Sequence, residues 1–297
     1  MNAKCKGLGV ALATPFLPDG AIDHQALVRL VMHVGNGGAQ FVVALGSTGE
    51  ASMLTEVERD TVITTVREHA GAMAVFVGTG APSTAQAVAW TVRTAQLGAS
   101  GALVVVPPYT KPTQPGLLAH FRAVVAAAPE LPILLYNVPG RTATNLLPAT
   151  VAALWSVPNI VGIKESSGDL QQIARIAAEL PPGKRLFAGD DPLAVATIAV
   201  GGHGLISVAG NVVPALMRDL VEAAHTDLPR AQSLHATLLP LFDALAAEPN
   251  PIPVKTALAL LGIADPGLRL PLLPASPPTR ERLRAVLHAL HVGVGHA

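Results

Sequence analysis

Aromatic residues are scarce in this chain, at 3%, and charged residues make up only 13%. Half of the residues are hydrophobic, so a large aliphatic core is available and an intrinsically disordered chain is excluded. Neither sign of charge is in excess: the formal net charge is zero at pH 7. That excludes the basic footprint expected of a protein that binds nucleic acid or an anionic membrane surface. The single cysteine, Cys5, excludes an internal disulfide and fits a reducing compartment. The N-terminal stretch lacks the apolar length of a secretion signal, because Pro15 and Asp19 interrupt it. The most membrane-like segment, Leu193–Met217, holds Gly201, Gly202, His203, Gly204 and Asn211, and splits into helix, turn, strand and helix start. The expectation is a soluble, cytoplasmic protein with no nucleic-acid or membrane partner.

What is present is an alternation. Short aliphatic runs alternate with longer amphipathic ones at intervals of roughly twenty to thirty residues, as βα units do. The pattern predicts strands at Gly9–Ala13, Phe41–Leu45, Ala74–Val77, Ala102–Val106, Ile133–Tyr136, Ile160–Lys164, Leu186–Ala188 and Gly204–Ser207. Helices are predicted near His24–Gly35, Glu56–His69, Thr84–Leu97, Gly116–Ala127, Leu147–Trp155, Leu170–Leu180, Pro192–Val200 and Val212–Ala224. Eight such units point to a closed (β/α)8 TIM barrel. A doubly wound open sheet is the alternative, but its glycine-rich dinucleotide turn is missing after the first strand. The remaining C-terminal stretch reads as three helices, Leu234–Ala247, Val254–Leu261 and Thr279–His291, separated by the proline-rich joints EPNPIP and LRLPLLPASPP. The expected organisation is a catalytic barrel over residues 1–226 and a small helical appendage over residues 227–297.

In such a barrel the chemistry sits at the C-terminal ends of the strands. The most telling of those ends is NIVGIKESSGD, Asn159–Asp169, where an apolar run closes on Lys164. Burying an ammonium costs several kcal/mol or forces it to neutralise. A plain reading pairs Lys164 with Glu165 or lets it snorkel to the strand end; a sharper one holds it partly neutral to attack a carbonyl. Other strand ends carry Gly46-Ser47-Thr48-Gly49-Glu50, Tyr109, Tyr136 with Asn137 and then Arg141, Gly189-Asp190, and Ser207. The only two tyrosines of the chain, Tyr109 and Tyr136, both fall on this rim. The GSTGE turn is either an ordinary βα turn with Glu50 near a helix start, or a cradle of N–H groups and hydroxyls for a carboxylate. In YNVPGRT a Val-Pro-Gly turn displays Arg141, whose planar fork suits a carboxylate, although a lone arginine is by default a surface ion-pair partner. Tyr136 could shuttle a proton to a reacting carbonyl or simply bond a backbone oxygen.

Other candidates read as structural. Lys255 lies in a predicted C-terminal helix and is expected to be structural or solvent-facing. His288 and His291, with His296 near the terminus, have no carboxylate or cysteine nearby in sequence to complete a metal site. GTGAPST (Gly78–Thr84) lacks the Gly-Lys-Ser/Thr ending of a phosphate loop and reads as a turn with Ser83 or Thr84 capping the next helix. Asp190 and Asp191 are read as helix caps. No metal is expected.

With those residues in place, the sequence resembles the dihydrodipicolinate synthase/N-acetylneuraminate lyase family of lysine-dependent aldolases. GSTGE, PPYTKPTQPGL, YNVPGRT, GIKESSGD, GDD, GGHGLISV and NPIPVKTAL occur in family order along nearly the whole chain. YNVPGRT and the tail from NPIPVKTAL to LRLPLLP look like the synthase branch rather than the lyases. The resemblance implies that Lys164 forms a Schiff base with pyruvate, so that no separate cofactor is needed, and that the resulting enamine attacks the aldehyde of aspartate semialdehyde. It implies that Tyr136 relays protons with Ser47 and Tyr109, that Thr48 holds the pyruvate carboxylate and Arg141 that of the aldehyde, and that Gly189 and Ile206 supply backbone contacts. It also implies a homo-oligomer, a dimer or tetramer, with Tyr109 donated across the interface. Two departures stand out. Ser47 replaces the threonine commoner in the synthases. Where feedback-sensitive members bind lysine with histidine, asparagine, glutamate and a second tyrosine, this chain has Glu56 or Arg59, Pro82, Gln86 and Pro108. Weak or absent inhibition by lysine is therefore expected. Two alternatives remain open: an aldolase of the same family acting on a sugar acid or hydroxy-oxo acid, and a non-catalytic barrel that binds a 2-oxo acid. A metal-dependent aldolase is disfavoured because no His/Asp/Glu cluster ends the strands.

Overall fold

Side-chain caps set the helix starts, and the strands between them close on each other. The computed structural model describes residues 5–292. The strands are β1 (Gly7–Ala11), β2 (Phe41–Ala44), β3 (Ala74–Gly78), β4 (Gly101–Val105), β5 (Ile133–Asn137), β6 (Ile160–Glu165), β7 (Arg185–Ala188) and β8 (Gly204–Ser207). They form a closed parallel barrel in chain order. β8 returns to β1 with Gly7 opposite Gly204 and Val10 opposite Ser207. Asp23, Thr55, Ser83, Thr113 and Asp169 each accept a hydrogen bond from a first-turn N–H and so fix where the helices after β1, β2, β3, β4 and β6 begin. Ser83, rather than Thr84, is the cap in GTGAPST; the Thr84 hydroxyl pairs instead with His120 Nδ1 at 2.9 Å.

Nearly every predicted element is present with its ends within two residues. The largest difference is in the C-terminal region, where the helix expected at Leu234 begins at Leu228. Asp227 ends the helix Pro214–Thr226 and also caps the next one, accepting from Arg230 N at 3.1 Å, while Pro229 sits in the first turn, where its missing N–H costs nothing. Among the described residues, no helix is long and apolar enough to cross a membrane.

Three of the six phenylalanines meet inside the barrel. Phe41 packs edge-on against Phe76 and Phe187, with ring centroids 5.8 and 5.4 Å apart. Gly9 is what makes room for them: a Cβ there would meet the Phe41 ring at 2.2 Å. Outside the strands a second layer continues without a break into the C-terminal helices. Leu238, Leu241, Val254, Leu258 and Leu283 belong to the same core as Leu27, Leu30, Val62 and Leu220 of the barrel helices.

The appendage is also tied in by charge. Lys255 Nζ donates to Glu50 Oε1 at 2.6 Å, and both side chains are 1% exposed. The second oxygen of Glu50 accepts the Arg269 backbone N–H at 3.1 Å, and the Arg269 guanidinium pairs with Glu58. The Lys255 ammonium lies 4.0 Å from the centre of the Phe16 ring. Lys255 is thus structural and buried, not solvent-facing. Glu50 does precede a short helix, Ala51–Met53, but its side chain makes no cap bond there; it anchors the GSTGE turn to the C-terminal segment.

Candidate active site

The aim of Lys164 is set by one irregularity. Ile133 of β5 pairs with Ile160 of β6, but the next residue, Leu134, pairs with Gly162, leaving Val161 as an extra residue. Side chains alternate along a strand, and a bulge resets the alternation. Val161 packs among the interior residues, so an unbroken strand would have turned Ile163 and Glu165 inward as well. With the bulge, Ile163 joins the outer core and Lys164 faces the interior, in register with Tyr136 on one side and Phe187 on the other. Lys164 is 4% exposed, and its Nζ stands 4.6 Å from the centre of the Tyr136 ring.

Glu165 therefore faces the opposite way. Its carboxylate accepts hydrogen bonds from Asn137 Nδ2 at 3.0 Å and the Ser167 N–H at 2.8 Å, and Gln172 Nε2 reaches it at 3.4 Å. Burial raises the carboxyl above its ordinary range, and these donors partly offset the effect. No ion pair joins it to Lys164. The salt-bridge reading of Lys164 is overturned by strand alternation: neighbours in sequence point to opposite faces. Among the described residues, the Lys164 ammonium has neither a hydrogen-bond acceptor nor a carboxylate within ion-pair range.

Lys164 opens into a cavity of about 420 Å³ at the C-terminal mouth of the barrel, shared with Thr48, Arg141, Gly189 and Asn250. A neighbouring cavity of about 320 Å³ is lined by Arg59 and Trp90 and meets the first at Ser47, Tyr136, Val138 and Arg141. Five of the expected residues besides Lys164 (Ser47, Thr48, Tyr136, Arg141 and Gly189) thus converge on one point. Ser47 is exposed at the rim, and Thr48, one residue on, is buried.

Sequence reasoning gave no role to Asn250. Its Nδ2 donates to Thr48 Oγ1 at 2.9 Å, and its backbone carbonyl accepts from Arg141 Nη2 at 3.2 Å, so the appendage holds both groups expected to bind carboxylates. The motif NPIPVKTAL marked this segment, but nothing in its pattern says that it reaches over the barrel mouth.

The acidic pair also differs from expectation. Asp191 caps no helix of its own; it accepts from Ser207 Oγ at 2.5 Å and from the N–H groups of Val208 and Ala209 at 3.1 and 2.9 Å, holding the loop after β8. Asp190 makes no side-chain cap either. Burial raises both carboxyls, and the positive charge of Lys164 opposes it in each, with Arg141 adding to the effect at Asp190.

Gly189 is needed for a steric reason as well as for backbone contacts. A Cβ there would lie 1.7 Å from Ser166 Oγ and 2.8 Å from Lys164 Cε. Gly189→Ala is expected to displace the lysine and lower turnover roughly 100-fold while the barrel still folds, as steady-state rates and far-ultraviolet circular dichroism would show.

Two expected residues are not brought to the cavity. Tyr109 is 90% exposed, with a left-handed φ of +72°, and lines neither cavity of its own chain. Ile206 is fully buried among the interior residues Phe41, Phe187 and Leu134, and its side chain is not part of the cavity wall. His288 lies in the last turn of the last described helix, His291 follows that helix, and His296 lies outside the described residues.

A parallel (β/α)8 barrel with a cavity at the C-terminal ends of its strands, and a buried, unpaired lysine opening into it, has the form of a barrel enzyme. The sequence model of the Dihydrodipicolinate synthetase family matches residues 4–290, and the chain belongs to that family. It is 45% identical over 282 residues to a 4-hydroxy-tetrahydrodipicolinate synthase of Thermosynechococcus vestitus, covering 94% of this chain and 95% of that protein. The fold matches dihydrodipicolinate synthase from Aquifex aeolicus with a TM-score of 0.94 and 40% identity, over 98% of this chain and 100% of that one. It also matches a monomeric dihydrodipicolinate synthase variant with a TM-score of 0.95 and 38% identity, over 98% of both chains.

Proposed function

We propose that this protein condenses pyruvate with L-aspartate 4-semialdehyde to 4-hydroxy-tetrahydrodipicolinate, in lysine biosynthesis, through a Schiff base on Lys164. The observation that carries the proposal is the Lys164 ammonium, buried in the cavity without a carboxylate partner and 4.6 Å from the Tyr136 ring. A lysine kept only for structure would have its charge satisfied, as Lys255 does.

In this reading the Lys164 amine adds to C2 of pyruvate and water leaves, giving an iminium ion. Loss of a proton from C3 produces the enamine, whose C3 attacks the aldehyde carbon. Closure of the ring by the amino group of the second substrate then frees Lys164. Tyr136 carries protons to and from the reacting oxygen, with Ser47 beside it at the rim. Thr48 holds the pyruvate carboxylate and Arg141 that of the aldehyde; Asn250 fixes the position of both. Gly189 and Ile206 contribute main-chain contacts. The lysine is itself the reacting group, so no separate cofactor is required.

Tyr109 enters from a second copy of the chain. What supports this is its exposure, which leaves the phenol of one rim residue without a role in its own chain. The working unit is then at least a dimer, with a tetramer as the larger form, and we assign it to the cytoplasm. Arg141 tests the choice of aldehyde. Arg141→Ala is expected to raise KM for aspartate semialdehyde about 10- to 100-fold and leave pyruvate adduct formation unchanged. Undetectable turnover of that aldehyde, with ready cleavage of a sugar acid, would overturn the substrate assignment.

Inhibition by lysine is expected to be weak or absent. Arg59 is buried with its guanidinium 3.9 Å from the centre of the Trp90 ring, donating to the carbonyls of Gly78 and Ala51 at 2.8 and 3.3 Å. Burial pulls its pKa down to about 10, which still leaves it cationic at neutral pH. A fixed cation at this wall opposes the two amino groups of lysine. Half-inhibition at sub-millimolar lysine in a steady-state assay would contradict this.

A further inference from the structure

Ser166 and Ser167 follow Lys164 closely, but only one of them is accounted for by the fold. Ser167 Oγ accepts the Asp169 N–H at 3.2 Å and so belongs to the turn before the next helix. The Ser166 hydroxyl is buried and has no hydrogen-bond partner. A buried hydroxyl left unpaired is costly, and one that persists calls for a specific explanation. Its position supplies one. Ser166 N donates to Asn137 O at 2.8 Å, so the β5–β6 ladder runs one residue past the strand end, and Ser166 projects to the same side as Lys164, two residues before it. The point above Gly189 where a Cβ would stand is 1.7 Å from Ser166 Oγ and 2.8 Å from Lys164 Cε. The hydroxyl and the shaft of the lysine therefore meet over the same glycine, and that glycine and the lysine both line the cavity.

We infer that Ser166 Oγ–H is the hydrogen-bond donor to the oxygen of the adduct that pyruvate first forms on Lys164. This rests on the Schiff-base reading. When the amine adds to C2, the N–C bond forms, the carbonyl π pair moves to oxygen, and a proton passes from nitrogen to that oxygen. The C–O bond then breaks as the proton that the ammonium gave up before attack returns through Tyr136 to the oxygen, which leaves as water, and the nitrogen lone pair forms the C=N bond. Negative charge on the oxygen peaks during addition, and a bond to it is worth most there. Ser166 supplies that bond and keeps its own proton. The hydroxyl has no partner in the free enzyme because its partner arrives with the substrate.

The test compares the rate of adduct formation with stability. Wild-type protein and Ser166→Ala are mixed with pyruvate, quenched with borohydride over a range of times, and weighed by intact mass spectrometry. Ser166→Ala is expected to form the adduct about tenfold more slowly, with a melting temperature equal to or above that of the wild type, because the variant removes an unpaired group. Ser166→Gly, which also lacks the hydroxyl, is expected to slow the adduct similarly. Wild-type rates in Ser166→Ala would overturn the inference. So would a slower rate accompanied by a lowered melting temperature, since that is the mark of a structural serine. If wild-type protein itself forms no adduct, the assignment of Lys164 as nucleophile fails, and this inference with it.

Discussion

Lys164→Ala is expected to lower turnover by about three orders of magnitude or more, because the covalent route is lost rather than weakened. The barrel is expected to stay folded, with a melting temperature equal to or above that of the wild type. The reason is local: the ammonium has no hydrogen-bond acceptor in the protein, so its removal leaves no acceptor unpaired, and relieving the burial of a charge offsets the lost attraction for the Asp190 and Asp191 carboxylates. Steady-state rates and thermal melts on the same preparation would separate the two effects. A large loss of stability would mean that the lysine is part of the scaffold.

The second large effect is expected far from the reacting atoms, at Lys255. Its ammonium and the Glu50 carboxylate are both 1% exposed and 2.6 Å apart. Burial lowers the Lys255 pKa, and the attraction of Glu50 works against that. Lys255→Met leaves the Glu50 charge buried with only the Arg269 N–H as a remaining partner, which costs about 3–5 kcal/mol. The double replacement Glu50→Gln with Lys255→Met is expected to recover most of this in urea unfolding, since the neutral amide keeps an acceptor for the Arg269 N–H. Turnover should fall in the single variant, because Glu50 closes the turn that carries Ser47 and Thr48. If the double variant is as unstable as Lys255→Met, charge burial is not the cause.

The contrast between these two lysines shows how far the sequence could be read. Both are cations in apolar surroundings; the groups at the strand ends and the family resemblance favour chemistry for Lys164, while the sequence leaves Lys255 either structural or solvent-facing. The assignment followed from position: Lys164 ends a strand of a βα unit, where a barrel keeps its reacting groups. The strands and helices were legible for a similar reason, since hydrophobic periodicity and capping residues are written locally. The bulge at Val161 was not. NIVGIK reads as a smooth apolar run, and the extra residue exists only relative to its pairing with β5. Glu165 followed the same logic, because only the register shows that it faces away from its neighbour. Asn250 was illegible because its contacts span about two hundred residues of sequence. Tyr109 lies in the loop beyond β4, which ends at Val105, and a strand end does not fix the direction of a ring so far past it.

The proposed reaction depends most on covalent attachment of pyruvate to one named residue. Borohydride reduction in the presence of pyruvate, followed by peptide mass spectrometry, tests this directly. The prediction is a single pyruvate-derived mass on the peptide carrying Lys164, absent from Lys164→Ala. A wild-type protein that turns over both substrates yet yields no adduct, or an adduct that persists in Lys164→Ala, would contradict it.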